Sequence, residues 1–194
     1  KFAVLTRAPE LVKNGTTRQD LLEQLHKMNY RPIVEGDEPL QFTLVRSYAF
    51  HENLTLEENI TVWREYLEIL NGMTVEFEGQ THHLIHVICV LHDGLGDSNM
   101  IFPSSRTDHT GEHGHLQPQF WHDEDAIQAY IDTVTEFIRR AFAGYEHLVP
   151  VIELFNEVQL HNHYKHDGQW AKQPVDYDDD VQYREVSYRL SKAV

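Results

Sequence analysis

Apolar residues recur along this chain with two alternating periods, and the alternation sets out its elements. Phe2 to Arg7 reads as a first strand, and Leu21, Leu22, Leu25 and Met28 follow at helical spacing up to about Asn29. Phe42 to Phe50 is strand-like. Leu56 to Leu70 places Ile60, Trp63, Leu67 and Leu70 on one face of a helix, and Asn71 and Gly72 end it. Thr74 to Gly79 suggests an added hairpin strand. Ile85 to Leu91 is an apolar strand, followed by a long polar stretch from Gly94 to His122.

The clearest helix comes next. Ile127, Tyr130, Ile131, Val134, Phe137, Ile138, Ala141 and Phe142 keep the i, i+3, i+4, i+7 spacing throughout. Asp123, Glu124 and Asp125 stand at its positive end, Arg139 and Arg140 at its negative end, and Gly144 follows. Val149 to Glu157 is a short β-branched run that stops at an amide and a carboxylate. A loop rich in His, Tyr, Asp and Trp then runs to Pro174. A last helix over Asp178 to Lys192 rests on Val181, Tyr183, Val186, Tyr188 and Leu190. Alternating strands and helices predict an α/β class with a mainly parallel sheet, and 194 residues fit one domain over 1–194. In such sheets the chemistry lies just past the carboxyl ends of the strands, where Leu91-His92 and Asn156-Glu157 fall.

Those residues carry a resemblance. Leu91-His92 with the loop Gly94 to Asn99, then Asn156-Glu157 ending the next strand, and Arg46 closing the run from Phe42, follow one another in the order found in a clan of enzymes. Over roughly residues 40 to 160 the chain resembles the (β/α)8 retaining glycoside hydrolases that include family 5, the cellulases and exo-β-1,3-glucanases. Val158 departs from the proline that usually follows the glutamate there. The resemblance implies a partial parallel (β/α) barrel of about four strands with their helices, acting on β-linked glucan or a related polysaccharide. It implies Glu157 as general acid and then base, Asn156 and His92 on sugar hydroxyls, and Arg46 on the carboxylate of the nucleophile. A full barrel takes about 250 residues, so the implied nucleophile lies outside this chain. Unclosed strand edges would then favour self-association or a second chain completing the sheet. Trp121, Tyr164 and Trp170, in the loops flanking the two strand ends, are candidates for stacking on sugar faces.

Glycosidases need two carboxyl groups about 5–5.5 Å apart for retention, or about 6.5–9.5 Å for inversion. Glu153 and Glu157 share a side of their strand, but four strand residues separate them by roughly 13 Å. Glu153 therefore reads as a structural carboxylate inside the barrel that requires a partner of its own.

Charge narrows the partners. With 31 acidic residues against 16 basic and a formal charge of −15, the chain lacks the clustered cations that bind nucleic acid or anionic membrane. No apolar run approaches the roughly 20 residues that span a bilayer. Cys89 is the single cysteine, so no intrachain disulfide forms, and its place between Ile88 and Val90 marks a small core residue. Asn14, Asn53 and Asn59 begin glycosylation sequons, which lean the chain towards an extracellular or periplasmic setting. No cofactor is implied.

Two other readings stay open. Fourteen histidines include His82-His83 with His86, His113 with His115, and His161 with His163 and His166, all at spacings that suit metal ligands. A metal-dependent hydrolase would use them. A carbohydrate-binding or assembly half-barrel without catalysis would account for the missing second carboxylate.

Overall fold

A computed structural model of the chain describes residues 3–6, 23, 43–50, 54–91, 120, 122–154, 165–166, 169–170 and 177–194. Strands β1 (Ala3–Thr6) and β2 (Thr43–Tyr48) lie side by side and parallel, with Val4 opposite Val45. Helix α1 (Leu56–Asn71) follows, then β3 (Thr74–Phe77), β4 (Gln80–His83) and β5 (Ile85–Val90). Helix α2 (Glu124–Ala141) leads through a short 3₁₀ turn, Glu146–Leu148, into β6 (Val151–Glu153). The chain is mixed α/β, and its main sheet is parallel with the order β1-β2-β5-β6.

Pleat alternation gives that sheet two different faces. Val45, Ser47 and Ala49 of β2 and its continuation are buried, as are Ile85, Val87 and Cys89 of β5. In register, Val45 sits opposite Val87 and Ser47 opposite Cys89. Together with the apolar stripes of α1 and α2 these residues form one core. Leu44, Arg46 and Tyr48 alternate with them on the opposite face and are half-buried.

The helices start and stop where their sequences direct. Thr55 opens α1 with a capping box: its backbone N–H donates to Glu58 Oε2 at 2.8 Å, and its hydroxyl accepts from the Glu58 N–H at 3.3 Å. The expected face of Ile60, Trp63, Leu67 and Leu70 is buried, and Tyr66 and Ile69 widen it. Asn71 and Gly72 end the helix with Gly72 at φ −79°, right-handed rather than in the left-handed form common at such ends. Every apolar position expected in α2, from Ile127 to Phe142, is buried. Asp123 caps it by accepting from the Ala126 N–H at 3.1 Å.

Trp63 sits fully buried where α1 meets α2 and β2. Its indole N–H donates to the Ala49 carbonyl at 2.6 Å. Its ring lies edge-on to Tyr66, Phe137 and Phe142 at centroid distances of 5.8, 6.2 and 5.4 Å. Arg140 of α2 reaches back to α1, bonding both Glu57 carboxylate oxygens at 2.6 Å.

Some expectations hold and others change. The hairpin strand expected from Thr74 is β3, which pairs antiparallel with β4 across Glu78 and Gly79. Both turn residues have positive φ, 51° and 74°, the geometry of two-residue primed turns. Of the run Val149 to Glu157, the described part, up to Leu154, contains the three strand residues of β6. Leu148 and Val149 are already buried before it, and Pro150, which has no N–H to give a ladder, separates them from the strand. The loop towards Pro174 contains a small hairpin, β7 (Lys165–His166) against β8 (Gln169–Trp170). Helix α3 (Tyr177–Ala193) forms close to its expected span. Val186 and Leu190 of α3 are buried, whereas Tyr188, one of the residues on which the helix was expected, is 59% exposed. Arg189 fastens α3 to α2 through Glu124 at 2.7 Å and Gln128 at 2.6 Å. The expected helix over Leu21 to Met28 lies outside the described residues, apart from Glu23, which is helical.

Candidate functional site

The face of the sheet turned away from α1 and α2 carries the one polar constellation that draws on two separate strands of the sheet among the described residues. Arg46 of β2 forks onto Glu153 of β6: Nε donates to Oε2 at 2.9 Å and Nη2 to Oε1 at 2.6 Å. Strand β5 runs between them. In register Arg46 stands opposite Ile88, and Ile88 opposite Val151, so the two side chains meet across an apolar strand. Neighbouring strands lie about 4.8 Å apart, and only a side chain as long as arginine spans two such intervals. Tyr48, two residues on and on the same face, lies under the guanidinium, 5.8 Å from ring centroid to Cζ.

Solvent reaches this pair. The side chains are 25% and 37% exposed, so the ions are neither fully hydrated nor sealed in. The guanidinium is held above its ordinary pKa, chiefly by its hydrogen bonds to Glu153, with partial burial acting the other way. A bidentate fork fixes both side chains in direction as well as distance. Chemically, the arrangement presents an oriented cation and a planar carboxylate at the carboxyl-terminal half of a parallel sheet.

The partner that Glu153 needs is therefore Arg46, and Glu153 is half-open to solvent rather than enclosed. The resemblance gave Arg46 to a nucleophile's carboxylate; here the carboxylate it holds is Glu153. Strands β5 and β6 are parallel and end together, with Val90 opposite Glu153 and the Leu91 N–H donating to the Glu153 carbonyl at 2.8 Å. The chain thus leaves both strands at one end of the sheet, two residues before His92 and four before Glu157. His92, Asn156, Glu157, Trp121 and Tyr164 themselves lie outside the described residues, and of Trp170 only the backbone, in β8, is described.

At the other end of the sheet is a group the sequence did not assemble. His83 at the end of β4 stacks with His147 of the 3₁₀ turn, centroids 4.8 Å apart, and stands 6.5 Å from His86 of β5. His82, His83 and His86 form a visible cluster in the sequence, but His147, more than sixty residues away, gives no local sign of joining it. Among the described residues no three His, Cys, Asp or Glu side chains are placed to hold a metal ion. His113, His115, His161 and His163 lie outside the described residues, as does the side chain of His166.

Two smaller readings also meet the structure. Cys89 is fully buried on the helix-facing side of β5, and burial pushes its thiol pKa up. Asn59, which begins a sequon, is fully buried in α1 and donates its amide to the carbonyls of Leu54 and Thr55 at 3.2 and 3.1 Å. It is a helix-start brace that no glycosylating enzyme could reach in the folded chain. No described helix is long and apolar enough to cross a membrane. Comparison of the chain with family models, with curated proteins and with solved structures finds no match.

Proposed function

We propose that this chain forms part of a barrel-type (β/α) glycoside hydrolase acting on β-linked glucan or a related polysaccharide with retention of configuration. The observation that carries the reading is the Arg46–Glu153 fork on the face of the sheet turned away from α1 and α2. In a closed barrel that face becomes the interior, where charged side chains must pair. A second feature agrees. The parallel strands are ordered β1-β2-β5-β6, following the chain without reversal, as in barrels, whereas doubly wound sheets reverse at a switch point.

In this reading Glu157, four residues past Glu153, protonates the leaving-group oxygen and then deprotonates the attacking water. Asn156 and His92 hold sugar hydroxyls, Trp121, Tyr164 and Trp170 stack on sugar faces, and the nucleophile comes from outside these residues. Arg46 acts by fixing Glu153 and with it the end of β6 from which the catalytic segment departs. The substrate goes with an extracellular or periplasmic setting. The test is hydrolysis of aryl β-glycosides and of β-glucan by the native assembly that contains this chain. Glu157→Gln should abolish hydrolysis of β-glucan yet spare the first step on activated aryl glycosides, which need little acid assistance. Full β-glucan hydrolysis by the Glu157→Gln assembly rules out the assignment. Binding of β-glucan without any turnover favours the non-catalytic reading instead.

A further inference from the structure

The stacked histidines at the amino-terminal end of the sheet lie far along the strands from the proposed catalytic end, and that function does not use them. Three elements meet there. The β3–β4 hairpin brings His83, β5 brings His86, and the turn before β6 brings His147. His147 Nε2 lies 3.1 Å from the Asn71 side-chain oxygen at the end of α1, an arrangement in which Nε2 carries the proton and donates it. The Nδ1 atom of His83 is buried with no hydrogen-bond partner. A proton added there finds no acceptor, and the charge it brings faces the ring of His147 at stacking distance.

We propose that His83 and His147, with His86 beside them, form an acid-released clasp between the β3–β4 hairpin and the turn that leads into β6. At neutral pH the rings stack and hold the two elements together; a proton taken up by His83 or His86 places charge inside this packed group of imidazoles and loosens it.

Among the described residues, His147 acts on His83, and His83 and His147 act on His86. Helix α1 contributes the neutral Asn71, and β2 places the neutral Leu44 opposite His86. His82 adjoins His83 in β4. The carboxylate beside His147 on the turn is Glu146, which accepts from backbone N–H groups, including that of Gly144 at 3.1 Å, and attracts charge on His147.

Burial first, and neighbouring rings second, hold His83 and His86 below the ordinary histidine pKa. The folded chain therefore binds these protons more weakly than the opened one. The clasp's contribution is whole above the ordinary value of about 6.5 and is lost as pH falls below it towards the lowered values.

The test uses the full chain at pH 7.5, 6.5 and 5.5, with NMR titration of the histidine rings and amide exchange at Leu84. The Leu84 N–H bonds the Met73 carbonyl at 2.9 Å beside the clasp. His83 should titrate below the ordinary value. Exchange at Leu84, corrected for intrinsic rate, should rise on acidification by up to tenfold for each pH unit by which a ring is shifted. His83→Phe, which keeps an aromatic ring but cannot be charged, should flatten that rise while leaving exchange at pH 7.5 unchanged or slower. If His83→Phe fails to fold, the titration of the unaltered chain decides. A His83 ring titrating at or above the ordinary value, or an undiminished rise in His83→Phe, overturns the proposal.

Discussion

Replacing Arg46 by Met and Glu153 by Leu, singly and together, measures how much the cross-strand fork holds the end of β6. Exposed ion pairs contribute about 0.2–1 kcal/mol, and breaking a buried pair costs about 3–5 kcal/mol. With side chains 25% and 37% exposed, this pair falls between the two. Bidentate geometry at 2.6 and 2.9 Å raises it within that range, and solvent access to Glu153 lowers it. Each single change should therefore destabilise the chain by about 1.5 kcal/mol, because each leaves a half-buried ion facing an apolar side chain. The double change leaves no ion behind and should cost about 1 kcal/mol or less. The coupling is then about 2 kcal/mol. In urea unfolding the midpoints should move with the slope unchanged, and each single change should lower the thermal midpoint by about 3–6 °C for a domain of this size. Arg46 also rests over Tyr48, and the cycle removes that shared contribution from the comparison. Single changes that add to within about 0.4 kcal/mol of the double would show that the fork is only a contact between independently placed side chains.

Other regions give equally direct expectations. Trp63→Phe deletes the donor to the Ala49 carbonyl and part of the ring packed against Phe137 and Phe142; differential scanning calorimetry should show a loss of about 2–4 kcal/mol, and a loss below about 0.5 kcal/mol would contradict the packing described. Glu78 holds φ 51° in the hairpin turn, so Glu78→Asn should stabilise by about 0.5–1 kcal/mol. Gly79→Ala should instead cost about 1 kcal/mol through its φ of 74°, since a Cβ there meets no atom and strain alone acts. Cys89 should resist thiol reagents until the chain unfolds, so labelling should follow the global unfolding rate rather than reagent concentration.

What the sequence revealed was what local periodicity controls. Thr55 with Glu58, and Asp123 ahead of an unbroken apolar stripe, announce α1 and α2 because caps and stripes act within one or two turns. Strand β5 was equally plain, since Ile85 to Val90 is a short apolar run interrupted only by His86. Tyr188 misled because a ragged pattern in α3 does not say which apolar residues face inward, and only docking on α2 through Arg189 settles it. The shortness of β6 was hidden as well. A β-branched run reads alike whether its first residues pair in a ladder or pack beneath it, as Val149 does.

The fork on the face turned away from α1 and α2 shows where that legibility ends. From Glu153 alone it follows that a carboxylate in an apolar strand needs a cation, and from Arg46 alone that a strand-borne arginine needs an anion. Neither residue names the other, because 107 positions separate them and the match depends on register at two interfaces. Shifting β5 by one residue against β2 would turn His86, Ile88 and Val90 over and change what lies between the pair. The register is fixed instead by the buried face, where Val45 meets Val87 and Ser47 meets Cys89 beneath α1 and α2. Packing on the helix side thus determines which charges meet on the other side. The proposed function rests on the same coupling, since any catalytic group beyond Glu153 is aimed by the strand that Arg46 and this buried face together hold in place.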